Sequence, residues 1–390
     1  MNFFIIAILY FADDGLMLSN TIEEAENNIR LIQEIAQSLG LLINKDKSNI
    51  LIYNLKEKPR AIENIEVCDT IKYLGVKISN TRNCFARHKE ETINKAKQLA
   101  NMTYSIISRS CNRLMIGKNY WKSMCLSIIL YAAEVIEYTE EEIAKLQVIE
   151  NSVYRAILQV PTFVANGALR GEIGATSSRA RDAKIKILFA KHLLSESRND
   201  LNKEIFIKEY ENGDNKWIKT LRKYLKEMGL NITEVKNLNK NKIKEKVKIW
   251  DTYKWKNEIR EKSTLEIYEK YKKDIKEESW VDNTEGSKVL VRARTNSLPL
   301  NWRNRFTNKS ENCPSCREET ETLEHFILDC RNYCSIRNKF VFLQELEDKS
   351  KEEKLADILA LENVAYDYPE IEIRKRLLRN LWQKRKNNVT

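Results

Sequence analysis

Glycine and proline are scarce in this sequence, with ten glycines and five prolines among 390 residues. Both residue types interrupt helices and form turns, so their scarcity predicts long helices. Cysteine is also sparse, because eight residues in a chain of this length do not form the dense disulfide framework of a small secreted protein. The length allows two or three domains with a sizeable buried core.

Long apolar runs are missing as well, since none reaches the roughly 20 residues that a transmembrane helix needs. The run from Phe3 to Leu9 lacks a basic leading segment and a small-residue cleavage site, which argues against a secretory signal. We therefore expect an intracellular protein, nuclear or cytoplasmic, with no membrane partner.

Charged residues are abundant and unbalanced. Lysine and arginine number 67 against 56 acidic residues, which gives a net charge of +11 and a pI near 9.0. A positive balance favours a polyanionic partner such as nucleic acid, although it carries no information about the fold. A lysine-rich soluble protein without such a partner has the same balance.

Two adjacent aspartates, Asp13 and Asp14, stand between two short apolar runs, directly after Phe11-Ala12 and before Gly15. This pattern predicts a β-hairpin with a polar tip. Adjacent carboxylates repel each other and resist desolvation, and a divalent metal commonly offsets that cost. A solvated turn that only joins two strands is the alternative that these residues alone leave open.

The segments after the hairpin carry further signals. A capping-box pattern at Thr21 begins a predicted helix that Gly40 ends. A polar segment, Asn44–Ser48, leads into a strand near Ile50–Tyr53, and another strand is predicted near Lys72–Ile78. We expect the helix to pack on one small antiparallel sheet that contains the hairpin and these two strands.

The order and spacing of these segments resemble the second half of the reverse transcriptase domain of non-long-terminal-repeat (LINE-type) retrotransposons. Phe11–Asp14 is similar to motif C of that family, the Y/F-A-D-D hairpin of the palm, and Gly40–Ser48 is similar to motif D. The sequence Tyr73, Leu74 and Gly75 is similar to the primer grip, which contacts nucleic acid. A group II intron maturase also carries a Y-A-D-D motif, but the cysteine cluster described below favours the retrotransposon branch.

The resemblance implies RNA-directed DNA synthesis in the complete parent protein, by two-metal nucleotidyl transfer with Mg²⁺. Asp13 would be the principal motif C ligand, Asp14 a weaker one, and Lys47 would neutralise or protonate pyrophosphate. An RNA template, a DNA primer or target, and deoxynucleoside triphosphates would be its partners and substrates. Because the sequence begins at Met1, shortly before motif C, we expect it to lack motif A, the fingers and any endonuclease, and to be inactive alone.

The fold class expected on this basis is mainly α with a small antiparallel sheet. Four regions are expected: a partial palm at 1–80, a thumb-like helical region at 81–160, a helical basic connector at 161–285, and a C-terminal helical region with a zinc knuckle at 286–390.

Helical spacing of apolar residues marks one strong helix in the thumb-like region, from Ile143 to Ile157, ended by Pro161. An ordinary helical bundle without a ligand would show the same spacing. Aromatic residues in the connector could stack on single-stranded nucleic acid, but we favour a buried stripe on amphipathic helices. These residues are Trp217, Tyr224, Trp250, Tyr253, Trp255, Tyr268 and Tyr271.

Four potential metal ligands lie close together near the C-terminus. Cys313, Cys316, His325 and Cys330 form the pattern C-x2-C-x8-H-x4-C, which supplies the thiolates and imidazole that Zn²⁺ prefers, in tetrahedral number. Residues five apart on an ideal helix lie about 140° apart, so Cys330 must lie where the helix carrying His325 ends or tightens. Cys334 is a competing fourth ligand, but the resemblance favours Cys330. Free buried cysteines and a surface histidine are the alternative to a metal site.

Four arginines upstream of the cluster are candidates for contacts to phosphate: Arg292, Arg294, Arg303 and Arg305. Ion pairs with the acidic loop Glu318–Glu321 are the alternative. Three functions therefore remain open. They are a reverse transcriptase fragment, a non-catalytic remnant that binds RNA or DNA, and a helical scaffold whose zinc cluster is purely structural.

Overall fold

The computed structural model describes residues 8–55, 57–195, 200–361 and 368–389. Over these ranges the protein is mainly helical with small β-sheets, which confirms the mainly α class. The chain divides between Lys95 and Ala96 into two compact units, here called the N-terminal unit and the C-terminal unit.

The N-terminal unit contains three small sheets among its described residues. Its strands are β1 (Ile8–Phe11), β2 (Asp14–Met17), β3 (Asn49–Leu51), β4 (Ala61–Ile62), β5 (Ile65–Cys68), β6 (Thr70–Tyr73) and β7 (Val76–Ser79). Strands β1 and β2 form one antiparallel hairpin, and β6 and β7 form another. The third sheet has the order β3-β5-β4, in which β3 runs parallel to β5.

The expectation of a single antiparallel sheet is therefore wrong. The reason is a third hairpin, formed by β4 and β5, for which no strand is predicted from the sequence. Glu63 and Asn64 both adopt left-handed backbone conformations, with φ of 49° and 63°, and join β4 to β5 in a two-residue turn. Strand β5 then pairs with β3, so the later hairpin forms a sheet of its own.

The predicted first helix is confirmed as α1 (Ile22–Ser38). The Thr21 hydroxyl accepts a hydrogen bond from the backbone N–H of Glu24, as expected of an N-cap. Gly40 has a φ of 73°, and the residue after it returns a backbone hydrogen bond of 2.8 Å to Ala36, which closes the C-terminus. Ile29 on the inner face joins the small buried core of this unit.

Helix α2 (Ala86–Ser108) begins before the boundary between the units, and the remaining described helices follow it. They are α3 (Arg113–Tyr120), α4 (Leu126–Ile129), α5 (Glu140–Leu158), α6 (Asn166–Ile173), α7 (Ser178–Ser195), α8 (Asp200–Asn212), α9 (Lys216–Glu227), α10 (Ile232–Asn237), α11 (Lys240–Arg260), α12 (Glu266–Tyr271), α13 (Glu285–Arg294), α14 (Cys334–Arg337), α15 (Lys351–Ile358) and α16 (Tyr368–Val389). A π-helical segment, Trp121–Cys125, links α3 to α4.

The strongly periodic helix of the sequence is confirmed as α5. It begins with a capping box between Thr139 and Glu142. It ends at Gln159, whose φ of 55° is left-handed. Ile143 and Ile157 are buried, as the apolar spacing requires.

The connector aromatics mostly pack inside the C-terminal unit, which confirms the preferred interpretation. Tyr224, Trp250, Trp255 and Tyr268 are buried. Tyr253 is the exception, because 62% of it is exposed.

One large apolar core runs through all three regions predicted after residue 80. It includes Trp121, Leu169, Trp255, Phe326 and Trp382. A second, smaller apolar core, which includes Ala180, Leu221 and Trp250, lies within the same C-terminal unit. The boundaries at 160 and 285 stay predictions. None of the helices in the described ranges is long and apolar enough to cross a membrane.

Candidate metal centre

The four predicted zinc ligands converge on one point in the C-terminal unit. One ligand atom from each of Cys313, Cys316, His325 and Cys330 lies within 4.8 Å of every other. Cys313, His325 and Cys330 are buried, and Cys316 is half-buried. The donor geometry decides whether a metal fits.

The donor spacing fits tetrahedral zinc. Zn–S bonds of about 2.3 Å and Zn–N bonds of about 2.0 Å place neighbouring donors roughly 3.5–3.8 Å apart in a tetrahedral site. The Sγ atoms of Cys313 and Cys330 are 3.8 Å apart, and Cys316 Sγ lies 3.4 Å from His325 Nε2. A disulfide needs about 2.05 Å between sulfurs, and all eight cysteines are free thiols.

A π-helical turn allows His325 and Cys330, which are five residues apart, to reach the same metal. The turn covers His325–Asp329, and the backbone N–H of Cys330 donates to the carbonyl of His325 at 2.9 Å. This hydrogen bond between residues five apart brings the two side chains to the same side of the helix. Cys330 therefore lies at the end of the helix, as predicted, but the helix widens there and does not tighten.

Cys334, the competing ligand, lies outside the cluster. It is exposed, and its thiol donates to Asn338 Oδ1 at 3.6 Å. The structure therefore groups Cys330, and not Cys334, with the other three potential ligands.

Glu319 orients the histidine. Its Oε2 lies 2.9 Å from His325 Nδ1, so Nε2 remains for the metal. Carboxylate–histidine–zinc arrangements fix the ring and raise its basicity as a ligand. The sequence predicts Glu319 only as one of the acidic loop residues Glu318–Glu321, because no spacing rule connects a loop side chain to a histidine six residues later.

Backbone hydrogen bonds prepare one thiol for ionisation. Burial disfavours the Cys316 thiolate, but the backbone N–H groups of Glu318 and Glu319, together with hydrogen bonds from Cys313 and His325, outweigh burial and lower the pKa of Cys316 to about 7. Burial dominates at Cys330 and raises its pKa to about 12. A bound Zn²⁺ deprotonates coordinating thiols outright, so both cysteines would serve as thiolates in the metal complex.

The C-terminal helix α16 packs against the metal centre. Arg385 on this helix forms a buried ion pair with Glu321, with Nε–Oε1 at 2.6 Å. Trp382 meets Phe326 edge-to-face, with ring centroids 6.1 Å apart. Phe326 follows His325 directly in the π-helical turn, so α16 packs against the turn that carries the ligand.

Two of the four candidate arginines bind carboxylates or backbone carbonyls of the protein itself. Arg294 is 2% exposed, and it binds Glu172, Glu278 and two backbone carbonyls. Its guanidinium is therefore inaccessible to a phosphate in this structure. Arg292 is half-buried and donates twice to the carbonyl of Gln159.

The other two arginine candidates lie beside the metal centre. Arg303 and Arg305 belong to the 3-10 helix Asn301–Phe306. The backbone N–H of Asn301 donates to the buried Glu321 at 2.7 Å. Arg303 is half-buried and Arg305 is exposed. Arg303 donates to the backbone carbonyls of Leu298 and Asn296 and not to the acidic loop in the part of the chain that the structure describes.

The predicted acidic hairpin is confirmed in the N-terminal unit. Phe11 pairs with Asp14, so Ala12 and Asp13 form the two-residue turn, and Ala12 has a φ of 54°. Both aspartates are exposed. Within the described residues they do not belong to any group of three or more potential metal ligands.

The remaining predicted site residues also lie at turns of the N-terminal unit. Lys47 is exposed in a 3-10 turn, where its backbone N–H donates to Asn44 Oδ1. Tyr73 ends β6, and Leu74 and Gly75 form the turn to β7, with φ of 46° and 79°. Two successive left-handed residues define a tight hairpin turn, where glycine is the favoured second residue.

The structure thus defines a mainly helical protein with a candidate Cys3His metal centre. No protein-family model matches the sequence, and no curated protein matches it either.

Proposed function

We propose that this chain is the part of a LINE-type reverse transcriptase that runs from motif C through the thumb to the zinc knuckle. We further propose that this polypeptide by itself binds nucleic acid through the C-terminal unit and does not extend primers. It is thus an RNA- or DNA-binding protein with polymerase ancestry.

The metal centre carries the proposal. Cys313, Cys316, His325 and Cys330 have the donor spacing that zinc requires. They follow the F-A-D-D, N-x-x-K-S and Y-L-G-V segments in the order of the family that the sequence resembles. The net charge of +11 supports a polyanionic partner.

The acidic hairpin supports polymerase ancestry. Asp13 and Asp14 would supply carboxylate oxygens to Mg²⁺, which is commonly held by one or two carboxylates together with phosphates and water. When bound, the metal would activate a primer hydroxyl and stabilise the leaving pyrophosphate. Lys47 would assist at the pyrophosphate. Because no third carboxylate joins Asp13 and Asp14 in the described ranges, we expect no synthesis.

Binding and extension assays on the purified zinc-loaded chain test the proposal. We expect fluorescence anisotropy to detect binding of labelled RNA and DNA oligonucleotides. Affinity should fall steeply between about 50 and 200 mM salt, because phosphate contacts release counterions. A DNA primer annealed to an RNA template, with Mg²⁺ and deoxynucleotides, should remain unextended.

Two outcomes would contradict the proposal. Robust cDNA synthesis would show that the catalytic site is complete in this chain. Absence of binding to RNA and DNA at low salt would instead support a helical scaffold whose metal centre is purely structural.

A further inference from the structure

Two aromatic rings and two arginine guanidinium groups contact one another near the metal centre. Arg303 lies over the ring of Phe163, with Cζ 4.6 Å from the centroid, and over the ring of Trp302 at 4.8 Å. Arg305 lies over the same Trp302 ring at 5.2 Å. We call Phe163, Arg303, Trp302 and Arg305 the aromatic–arginine stack.

The inner arginine is held in place by backbone groups. Arg303 donates to the carbonyl oxygens of Leu298, at 3.2 Å, and of Asn296. It has no carboxylate partner among the described residues. Burial and the positive charge of Arg305 both lower the pKa of Arg303. The charge of Arg303 is therefore balanced by carbonyl oxygens and not by a carboxylate, and a nearby phosphate would stabilise it.

The outer ring of the stack is presented to solvent. Phe163 is 58% exposed, although a phenylalanine of this size is normally buried. Its loop is fixed, because Arg155 donates to the carbonyl of Val164 at 3.0 Å and to Asn166 Oδ1 at 2.8 Å. An exposed ring on a fixed loop loses little conformational entropy when a ligand stacks on it.

The stack is tied to the metal centre through one buried carboxylate. Glu321 accepts from the backbone N–H of Asn301 and pairs with Arg385, and its own carbonyl accepts from the N–H of Trp302 at 3.4 Å. The backbone N–H of Cys313 donates to the carbonyl of Glu319 in the same loop. Folding of the metal loop therefore positions Trp302.

We propose that the aromatic–arginine stack is a binding site for unpaired bases of single-stranded nucleic acid. A base would add to the stack at the exposed face of Phe163, and Arg305 would contact a neighbouring phosphate. Aromatic rings and guanidinium planes are the surfaces on which unpaired bases stack. A duplex is disfavoured, because its bases are already stacked on one another. This inference rests on the proposed nucleic-acid function and names the ligand and its site.

Substitution of Phe163 tests the inference. We expect Phe163→Ala to weaken binding of a labelled single strand of about 16 nucleotides roughly tenfold, the effect of losing one stacked base. Phe163→Trp should retain wild-type affinity. The matched control is Tyr253→Ala, which removes a ring that is 62% exposed and does not belong to the stack. Zinc content and thermal melting of each variant show that it is folded.

An oligonucleotide with abasic sites separates stacking from charge. Wild-type protein should bind this strand more weakly than the normal strand, whereas Phe163→Ala should bind both equally. Arg305→Gln should reduce the slope of log affinity against log salt by about one, and Phe163→Ala should leave that slope unchanged. DNA and RNA versions of each strand show which sugar is preferred.

The outcomes distinguish this inference from the proposed function. If wild-type protein binds and Phe163→Ala binds equally well, the stack is not the site, while nucleic-acid binding survives. If wild-type protein binds neither RNA nor DNA at low salt, both proposals fail.

Discussion

At the scale of single residues, the metal centre shows what spacing can and cannot predict. The four ligands follow from their types and separations, and the choice between Cys330 and Cys334 depends on one helical turn. The π-helical turn at His325–Asp329 makes residue 330 meet His325. A ligand four residues further along is carried away from the site and is exposed.

Serine substitutions distinguish the two cysteines. Cys330→Ser should lose stoichiometric zinc and lower the melting temperature, because it removes a buried ligand from a site whose binding energy is folding energy. Cys334→Ser should retain wild-type zinc content and stability. Metal analysis of the purified variants, with cobalt substitution to report thiolate ligation by absorbance, makes the comparison. Equal zinc loss in both variants would contradict the assignment of Cys330 as the fourth ligand.

Other residues of the site were beyond prediction for a physical reason. Glu319 meets His325, and Phe163 meets Arg303, through folding of loops whose path no local pattern encodes. Arg294 differs from its predicted role. A basic residue beside a predicted zinc loop was a reasonable phosphate contact, but the fold buries it among acidic partners.

At the scale of elements, buried ion pairs join helices that lie far apart in sequence. Arg294 at the end of α13 binds Glu172 on α6 at 2.9 Å and Glu278, in the segment after α12, at 2.7 Å. Burial opposes ionisation of Glu278, but the charges of Arg294 and Lys272 outweigh it and lower the pKa of that carboxyl. Glu278 therefore remains a carboxylate at neutral pH. The ion pair between Arg294 and Glu172 fixes α13 against α6.

Removal of this guanidinium should destabilise the C-terminal unit strongly. We expect Arg294→Ala to lower the free energy of unfolding by about 3–5 kcal/mol, because it leaves buried carboxylates unpaired. Arg292→Ala, two residues earlier, loses hydrogen bonds to one carbonyl and should cost less than about 1.5 kcal/mol. Urea unfolding followed by circular dichroism measures both. Similar small losses in both variants would mean that Arg294 is not a structural anchor.

Individual helices and hairpins could be predicted from the sequence, but the grouping of strands into sheets could not. Helices α1 and α5 and the hairpin at Asp13 follow from caps, turns and apolar spacing within one segment. The single strand predicted near Lys72–Ile78 is wrong, because Leu74 and Gly75 adopt left-handed conformations and divide it into the β6–β7 hairpin. The grouping of strands into sheets does not follow from one segment, because the choice of partner depends on the competing turn at Glu63–Asn64. Local signals specify an element, and its neighbours are decided by contacts between distant segments.

At the scale of the whole molecule, the C-terminal unit connects the metal to the proposed nucleic-acid site. One apolar core unites the predicted thumb, connector and C-terminal regions. Helix α16 joins that core through Trp382, and its Arg385 holds the Glu321 carboxylate that anchors the 3-10 helix of the stack. The metal-binding loop, α16 and the aromatic–arginine stack should therefore become disordered together when zinc is removed.

The most direct measurement of the central claim is single-strand binding by one preparation before and after removal of zinc. We predict about one zinc ion per chain, bound by the Cys3His ligand set. Chelation should abolish most of the binding, and stoichiometric zinc should restore it. Full binding by protein shown to be free of metal would contradict the account.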